Sequence, residues 1–381
     1  MKIAIIQPRT PYHVAGSEKV SLKHAEYLSK LGHTVDFYTS TPEGLEETFL
    51  FKEFTRKKFE NVNMLRFDIS NSIPRLYEQK PDTDHIRWIT ESLAFDEKIY
   101  EAIIQDKPDV ILSYYLPDSL FKPLGIPNIL YLSGYSSKSI PWYKSFIKFC
   151  DATISISSIV SEKWSEYLMD VPLTYSLGTG VDYPLVVQEK IQTKAKSNLV
   201  FAGRLIERKG IMTLLDAFDQ ILKVTSDIHL WILGEGELFD GVKKRIVDLK
   251  IESNVSLIGL VQNPYDYFDM ADICVFPSHQ GDGLMGTVLE SMAAGKPVIT
   301  TTRNGNEDVI TNGVNGILIE SQNPEAIAKA VLDLVKNDEV RLSIGQKARE
   351  FIAENVAWEN NISKLVVIFE DIVKNVKKDV V

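Results

Sequence analysis

The sequence predicts an α/β protein made of two doubly wound domains in tandem, and three observations carry that prediction. The chain is 381 residues long, more than one hydrophobic core of ordinary size takes up, so two domains of roughly 150 to 200 residues each are expected. Short apolar runs alternate with segments of helical periodicity, the pattern of a parallel sheet covered by helices. A fresh strand, loop and helix begin near residue 199. The composition, 44% apolar and 25% charged, is that of a soluble globular protein with a well-buried core.

Taken in order, Ile3 to Ile6 is an apolar strand, Lys19 to Leu31 has helical periodicity, Gly32 ends it, and Thr34 to Thr39 is rich in β-formers. That is a βαβ unit. Further strands are expected at Val110 to Ser113, after a Lys107-Pro108-Asp109 turn, near Asn128 to Leu132, and at Ala152 to Ser157. A polar stretch, residues 183–198, reads as the linker between a first domain of residues 1–182 and a second of 199–358. The second domain alternates through Leu199 to Ala202, Ile228 to Leu233, Val255 to Gly259, Ile273 to Phe276 and Val298 to Thr301. Two placements are open for the last helical stretch, about 359–381: capping the second domain or crossing back to the first.

Several function classes are disfavoured at once. A formal net charge of -10 opposes general nucleic-acid binding, which needs clustered Lys and Arg to displace counterions. Cys150 and Cys274 stand far apart without a metal-ligand pattern, so neither a disulfide framework nor a structural zinc site is supported, and a reducing cytoplasm suits the chain. The apolar run at the N-terminus is too short for a signal peptide, and no run approaches the roughly 20 residues that cross a bilayer.

Two segments carry chemistry. Ala202-Gly203-Arg204-Leu205-Ile206-Glu207-Arg208-Lys209-Gly210 sets glycines and cations between a strand and a helix, where an open α/β sheet binds its ligands. Arg204 offers a planar fork for a phosphate, and Lys209 adds a point charge against the negative charge of a departing diphosphate. The second segment, residues 277–299, runs from a strand through a glycine-rich loop into an apolar helix, and such a loop presents backbone amides to anionic oxygens. Its acids, Asp282 and Glu290, would lie roughly 12 Å apart along a continuous helix. That exceeds the carboxylate spacings of about 5 to 9.5 Å in glycoside hydrolases. Each is better suited to accept hydrogen bonds from hydroxyl groups. His13 and His279 also fall in these predicted ligand loops, though a histidine in a polar loop is more often incidental.

With these motifs the sequence resembles the GT4-type retaining glycosyltransferases of GT-B fold, over nearly the whole chain and most strongly from residue 199 to about 320. Gly203-Arg204 and Lys209-Gly210 match that family's diphosphate motif, and Asp282 and Glu290 occupy its two acidic positions. The resemblance implies two Rossmann-like domains facing each other across a cleft. It assigns catalysis to Arg204, Lys209 and Asp282, and donor binding to Gly16, Gly203, Gly283, Leu284, Met285, Gly286, Thr287, Val288 and Glu290. Within that set Glu290 would bind the ribose, Asp282 the transferred sugar, and the Gly16 loop would approach the diphosphate from the first domain. Three departures stand out: Asp282 where the family has Glu, Met285 where it usually has Gly, and Ser133-Gly134 where many members have a sugar-contacting His.

The resemblance implies a hexosyl or N-acetylhexosaminyl transferase that retains anomeric configuration. The donor expected is a nucleotide-diphosphate sugar, a UDP-sugar first and GDP-mannose second, and the acceptor a glycan or lipid-linked molecule in cell-surface polysaccharide or glycolipid synthesis. No cofactor is expected, and no metal ion, because no Asp-x-Asp motif adjoins the loops. The alternatives are a sugar phosphorylase of the same fold and a catalytically inactive nucleotide-sugar-binding subunit. Residues 49–59 and 140–149 interleave bulky apolar and basic side chains. They pack into the core or lie on an anionic membrane, which would place a cytoplasmic enzyme peripherally on that face.

Overall fold

Strand β1 (Lys2–Ile6) is apolar from Ile3 onward because it lies in the middle of a parallel sheet, covered on both faces. The computed structural model describes residues 1–13, 16–41, 46–69, 84–114, 121–134, 144–165, 171, 173–279, 284–302 and 305–376. The chain divides into two compact units, one of Met1–Gly180 with Trp358–Val381 and one of Val181–Ala357.

In the first unit β1 leads to α1 (Gly16–Lys30), β2 (Thr34–Ser40), α2 (Phe49–Lys57), β3 (Val62–Phe67), α3 (Asp84–Asp106), β4 (Val110–Ser113), β5 (Asn128–Leu132), β6 (Ala152–Ser155), α4 (Ser158–Trp164) and β7 (Leu173–Ser176). The seven strands stand in the order β3-β2-β1-β4-β5-β6-β7, with Ile5 of β1 paired with Phe37 of β2 on one side and Leu112 of β4 on the other. Helix α1 has Glu18 in its first turn and Lys30 in its last, charges that suit the helix dipole. Phe51 and Phe54 of α2 are buried, whereas Phe49, Lys52, Glu53, Arg56 and Lys57 are exposed. Phe51 and Phe54 are therefore core residues, and Phe59 packs against the same core. In the second interleaved stretch, residues 140–143 lie outside the described residues, Ile147 is buried and Phe146 packs against the same core. No helix among the described residues is long and apolar enough to cross a membrane.

The second unit contains β8 (Ser197–Ala202), α5 (Ile211–Leu222), β9 (Ile228–Leu233), α6 (Phe239–Leu249), β10 (Val255–Gly259), α7 (Tyr265–Met270), β11 (Ile273–Phe276), α8 (Gly286–Ala293), β12 (Val298–Thr301), β13 (Ile317–Ile319), α9 (Pro324–Lys336) and α10 (Asp338–Asn355). Its six parallel strands are ordered β10-β9-β8-β11-β12-β13. Asn337 sits between the last two helices and caps α10 by accepting a hydrogen bond from the Val340 amide at 3.1 Å. Asn337→Ala is expected to cost about 1 kcal/mol of stability, seen as a lower melting temperature with nucleotide affinity unchanged.

Residues 183–198 fall within the second unit rather than standing between domains, since the amides of Gln188 and Glu189 donate to Asp266 Oδ1 at 2.6 and 3.1 Å. Helix α11 (Trp358–Val376) belongs to the first unit, burying Ile362, Leu365, Phe369 and Ile372 at helical spacing. Trp358 lies against Gly180, where a Cβ would come within 2.3 Å of the indole. Its ring also meets His24 edge-on at 5.7 Å and stacks on Tyr27 at 6.0 Å. His24 shares a short hydrogen bond with the Tyr114 hydroxyl, and burial lowers its pKa to about 3, so it stays neutral at pH 7. It is a core histidine.

Candidate functional site

In the second sheet the order runs one way from β8 through β9 to β10, and the other way from β11 through β12 to β13. The crevice at the carboxyl ends of β8 and β11 is thus the topological switch point, where ligands bind in such folds. The loops leaving these two strands hold most of the residues singled out in the sequence.

After β8 the chain passes Gly203 and Arg204, makes a short helical turn at Glu207–Lys209, and reaches Gly210 in the left-handed conformation, φ 69°, before α5. Gly210 lies so close to the next loop that a Cβ there would stand 2.1 Å from the Pro277 carbonyl oxygen. The His279 amide donates to the Arg208 carbonyl at 2.7 Å, so the two loops are joined by backbone. A third loop locks the first from the other side. Leu205 N–H donates to the Glu235 carbonyl at 2.8 Å, and a Cβ on Gly234, φ 129°, would stand 2.0 Å from the Gly203 carbonyl oxygen. Only glycine permits these approaches.

Arg204 is exposed, and its guanidinium makes no ion pair or hydrogen bond among the described residues. Lys209 is half-buried, its Cδ 4.0 Å from where a Gly203 Cβ would lie. Beyond β11, Leu284 and Met285 are buried, and α8 begins at Gly286, which is exposed with open space around it. The amides of Gly286 and Thr287 belong to the first turn, which has no intrahelical acceptor to offer them. Val288 is buried, and Glu290, 5% exposed, lies one turn into α8 on the side of Gly286. Asp282 and Gly283 lie outside the described residues. Gly16 belongs to the first unit, where it is exposed at the start of α1, and His13 is half-buried there. Ser133 is exposed after β5.

Sequence reasoning passed over the polar side chains behind the second loop. Thr301 donates to the Ser278 carbonyl, Thr300 donates to the Phe276 carbonyl at 2.8 Å, and Asn306 donates to Thr300 Oγ1 at 3.0 Å and to the Thr301 carbonyl at 3.2 Å. Two threonines closing an otherwise apolar strand were the signal available. Cys274, in β11, is no nucleophile: burial pushes its thiol up to about 12. No group of three or more His, Cys, Asp or Glu side chains able to hold a metal ion stands together among the described residues.

An exposed guanidinium, a lysine and an open helix start suit a polyanion. A buried carboxylate one turn further in suits hydroxyl groups attached to it.

Residues 187–351 match the family model described as glycosyl transferases group 1. The chain is 25% identical over 368 residues to an uncharacterised glycosyltransferase of Methanocaldococcus jannaschii, covering 92% of this chain and 93% of that one. A second uncharacterised glycosyltransferase of that organism is 28% identical over 256 residues, of which the match covers 64% of this chain and 63% of the relative. The lipopolysaccharide core biosynthesis glycosyltransferase LpsE of Rhizobium meliloti is 26% identical over 268 residues, covering 69% of this chain and 76% of that one. Among solved structures, Anabaena HepE in complex with UDP superposes with a TM-score of 0.75 at 14% identity, covering 97% of this chain and all of that one. Two parallel-sheet units with that fold, joined loops at the switch point of the second, and the group 1 match across it place this chain among the GT4-type glycosyltransferases of GT-B fold.

Proposed function

We propose that this glycosyltransferase moves a hexosyl or N-acetylhexosaminyl group, with retention of anomeric configuration, from a nucleotide-diphosphate sugar to a glycan or lipid-linked acceptor. A UDP-sugar is the first choice of donor and a GDP-linked mannose the second. The observation that carries the donor reading is the backbone junction of the two loops, which brings the Arg204 and Lys209 segment against the segment leading to α8. HepE, of the same fold, has been solved with UDP and with UDP-glucose, and LpsE is named for lipopolysaccharide core synthesis.

In this reading the diphosphate lies on the start of α8, where the amides of Gly286 and Thr287 and the helix dipole favour negative charge. Arg204 grips it with a fork of N–H groups, and Lys209 adds charge as the glycosidic bond to the phosphate breaks. These cations perform the neutralisation that a metal ion performs in other transferases. Glu290 accepts hydrogen bonds from the ribose hydroxyls, and Asp282 holds the transferred sugar. The acceptor hydroxyl attacks from the face the phosphate leaves, its proton passes to a leaving phosphate oxygen, and retention follows without a dedicated base. The family resemblance supports the retaining course. The reaction takes place in the cytoplasm, with the enzyme peripheral to a membrane where the acceptor is lipid-linked.

Calorimetry and turnover in chelator-treated buffer, across a panel of nucleotide sugars, test this reading. One donor is expected to bind and be hydrolysed or transferred slowly. Glu290→Gln keeps the shape but weakens the acceptor, and is expected to raise the donor Kd about tenfold, equivalent to about 1.4 kcal/mol. If no nucleotide sugar binds at millimolar concentration, the reading is wrong.

A further inference from the structure

The start of α8 is held from behind by a contact that the donor reading does not use. Met285, immediately before the helix, is 6% exposed, and Ser278, two residues past β11, is 1% exposed. The Ser278 hydroxyl donates to Met285 Sδ at 3.1 Å. Ser278 is itself anchored, because its carbonyl accepts from Thr301 and Thr301's own carbonyl accepts from the fully buried Asn306. A path of side-chain hydrogen bonds therefore runs from β12 through Ser278 to the sulfur of the residue that sets the helix start. Met285 is extended, φ -88° and ψ 126°, and its carbonyl accepts the Val288 amide at 3.0 Å to close the first turn. Its backbone thus fixes the direction of the amides that follow.

We propose that Met285 is a positioning residue for the donor, its thioether held by Ser278 so that the Gly286 and Thr287 amides keep one orientation toward the diphosphate. The inference rests on the donor reading above. A thioether fills irregular space and is a weak acceptor, so it takes a hydroxyl proton without demanding a second partner. Removing the side chain leaves a void and frees the backbone over conformations that only glycine enters readily. Amides that wander lose part of a charge-assisted hydrogen bond that depends on alignment. Met285 touches no reacting atom in this reading, so its loss falls on binding, which both ground state and transition state share.

Three variants, Met285→Gly, Met285→Leu and Ser278→Ala, are compared by titration with UDP and GDP, by donor KM and kcat, and by melting temperature. Met285→Gly is expected to raise the nucleoside diphosphate Kd and the donor KM about tenfold. Met285→Leu keeps the volume and is expected to return Kd to within about threefold. Ser278→Ala is expected to fall between them. Met285→Gly binding as tightly as the wild type overturns the inference, as does Met285→Leu binding as weakly as Met285→Gly. If Met285→Gly fails to fold, Ser278→Ala decides, and an unchanged Kd overturns the inference. A wild type that binds neither nucleoside diphosphate overturns the donor reading itself, and so is told apart from both.

Discussion

Arg204→Ala is expected to lower kcat/KM for the nucleotide sugar by a factor on the order of 10² to 10³, the range seen when one charge-stabilising donor is removed from a developing anion. The guanidinium is exposed and makes no ion pair among the described residues, so its removal leaves no buried partner stranded and stability should hold. The loss should therefore be functional. Arg204→Lys keeps the charge but replaces a planar fork by a single point of contact, and is expected to recover only part of the rate. Initial rates for the three proteins, with melting curves as controls, check this. Calorimetry with a nucleoside diphosphate and with the bare nucleoside adds a sharper reading, since only the diphosphate should bind more weakly. An Arg204→Ala enzyme as fast as the wild type would show that the leaving diphosphate lies elsewhere.

Gly210→Ala removes no charged or polar group, yet is expected to cost on the order of 100-fold in kcat/KM. Its Cβ would stand 2.1 Å from the Pro277 carbonyl oxygen, so one of the two loops must retreat by about 1 Å, a misplacement that can cost 10²-fold when reacting groups are held in register. The residue also sits at φ 69°, which adds roughly 1 to 2 kcal/mol of backbone strain for any side chain. Steady-state kinetics measures the first effect and thermal melting the second. If Gly210→Ala keeps full activity, contact between the two loops does not matter to the reaction.

The elements legible in the sequence are those whose signal is local. Central strands such as β1, β5 and β11 are buried on both faces and appear as apolar runs, Ile3 to Ile6, Ile129 to Leu132 and Ile273 to Phe276. The edge strands β3 and β7 are half-exposed along their length and mix polar with apolar residues, so no such run marks them, and pairing with a neighbour defines them. Residues 183–198 read as a linker because they are polar, but polarity does not exclude a segment whose amides are taken up by the side chain of Asp266.

The sequence by itself determined the two-domain α/β class, the strand, glycine loop and helix at residues 199–222, and the cationic and acidic residues grouped around glycines. Each is a matter of residue type at short spacing, with backbone geometry doing the rest. Only the tertiary structure decided that Gly210 meets Pro277, that Thr301 and Asn306 brace Ser278, that Met285 turns its sulfur inward, and that α11 packs on the first unit through Trp358 and Gly180. These contacts join residues as far apart as seven positions for Ser278 and Met285 and 178 for Gly180 and Trp358. Local propensity carries no record of such pairings, because burial and hydrogen bonding become definite only once the strands have chosen their order.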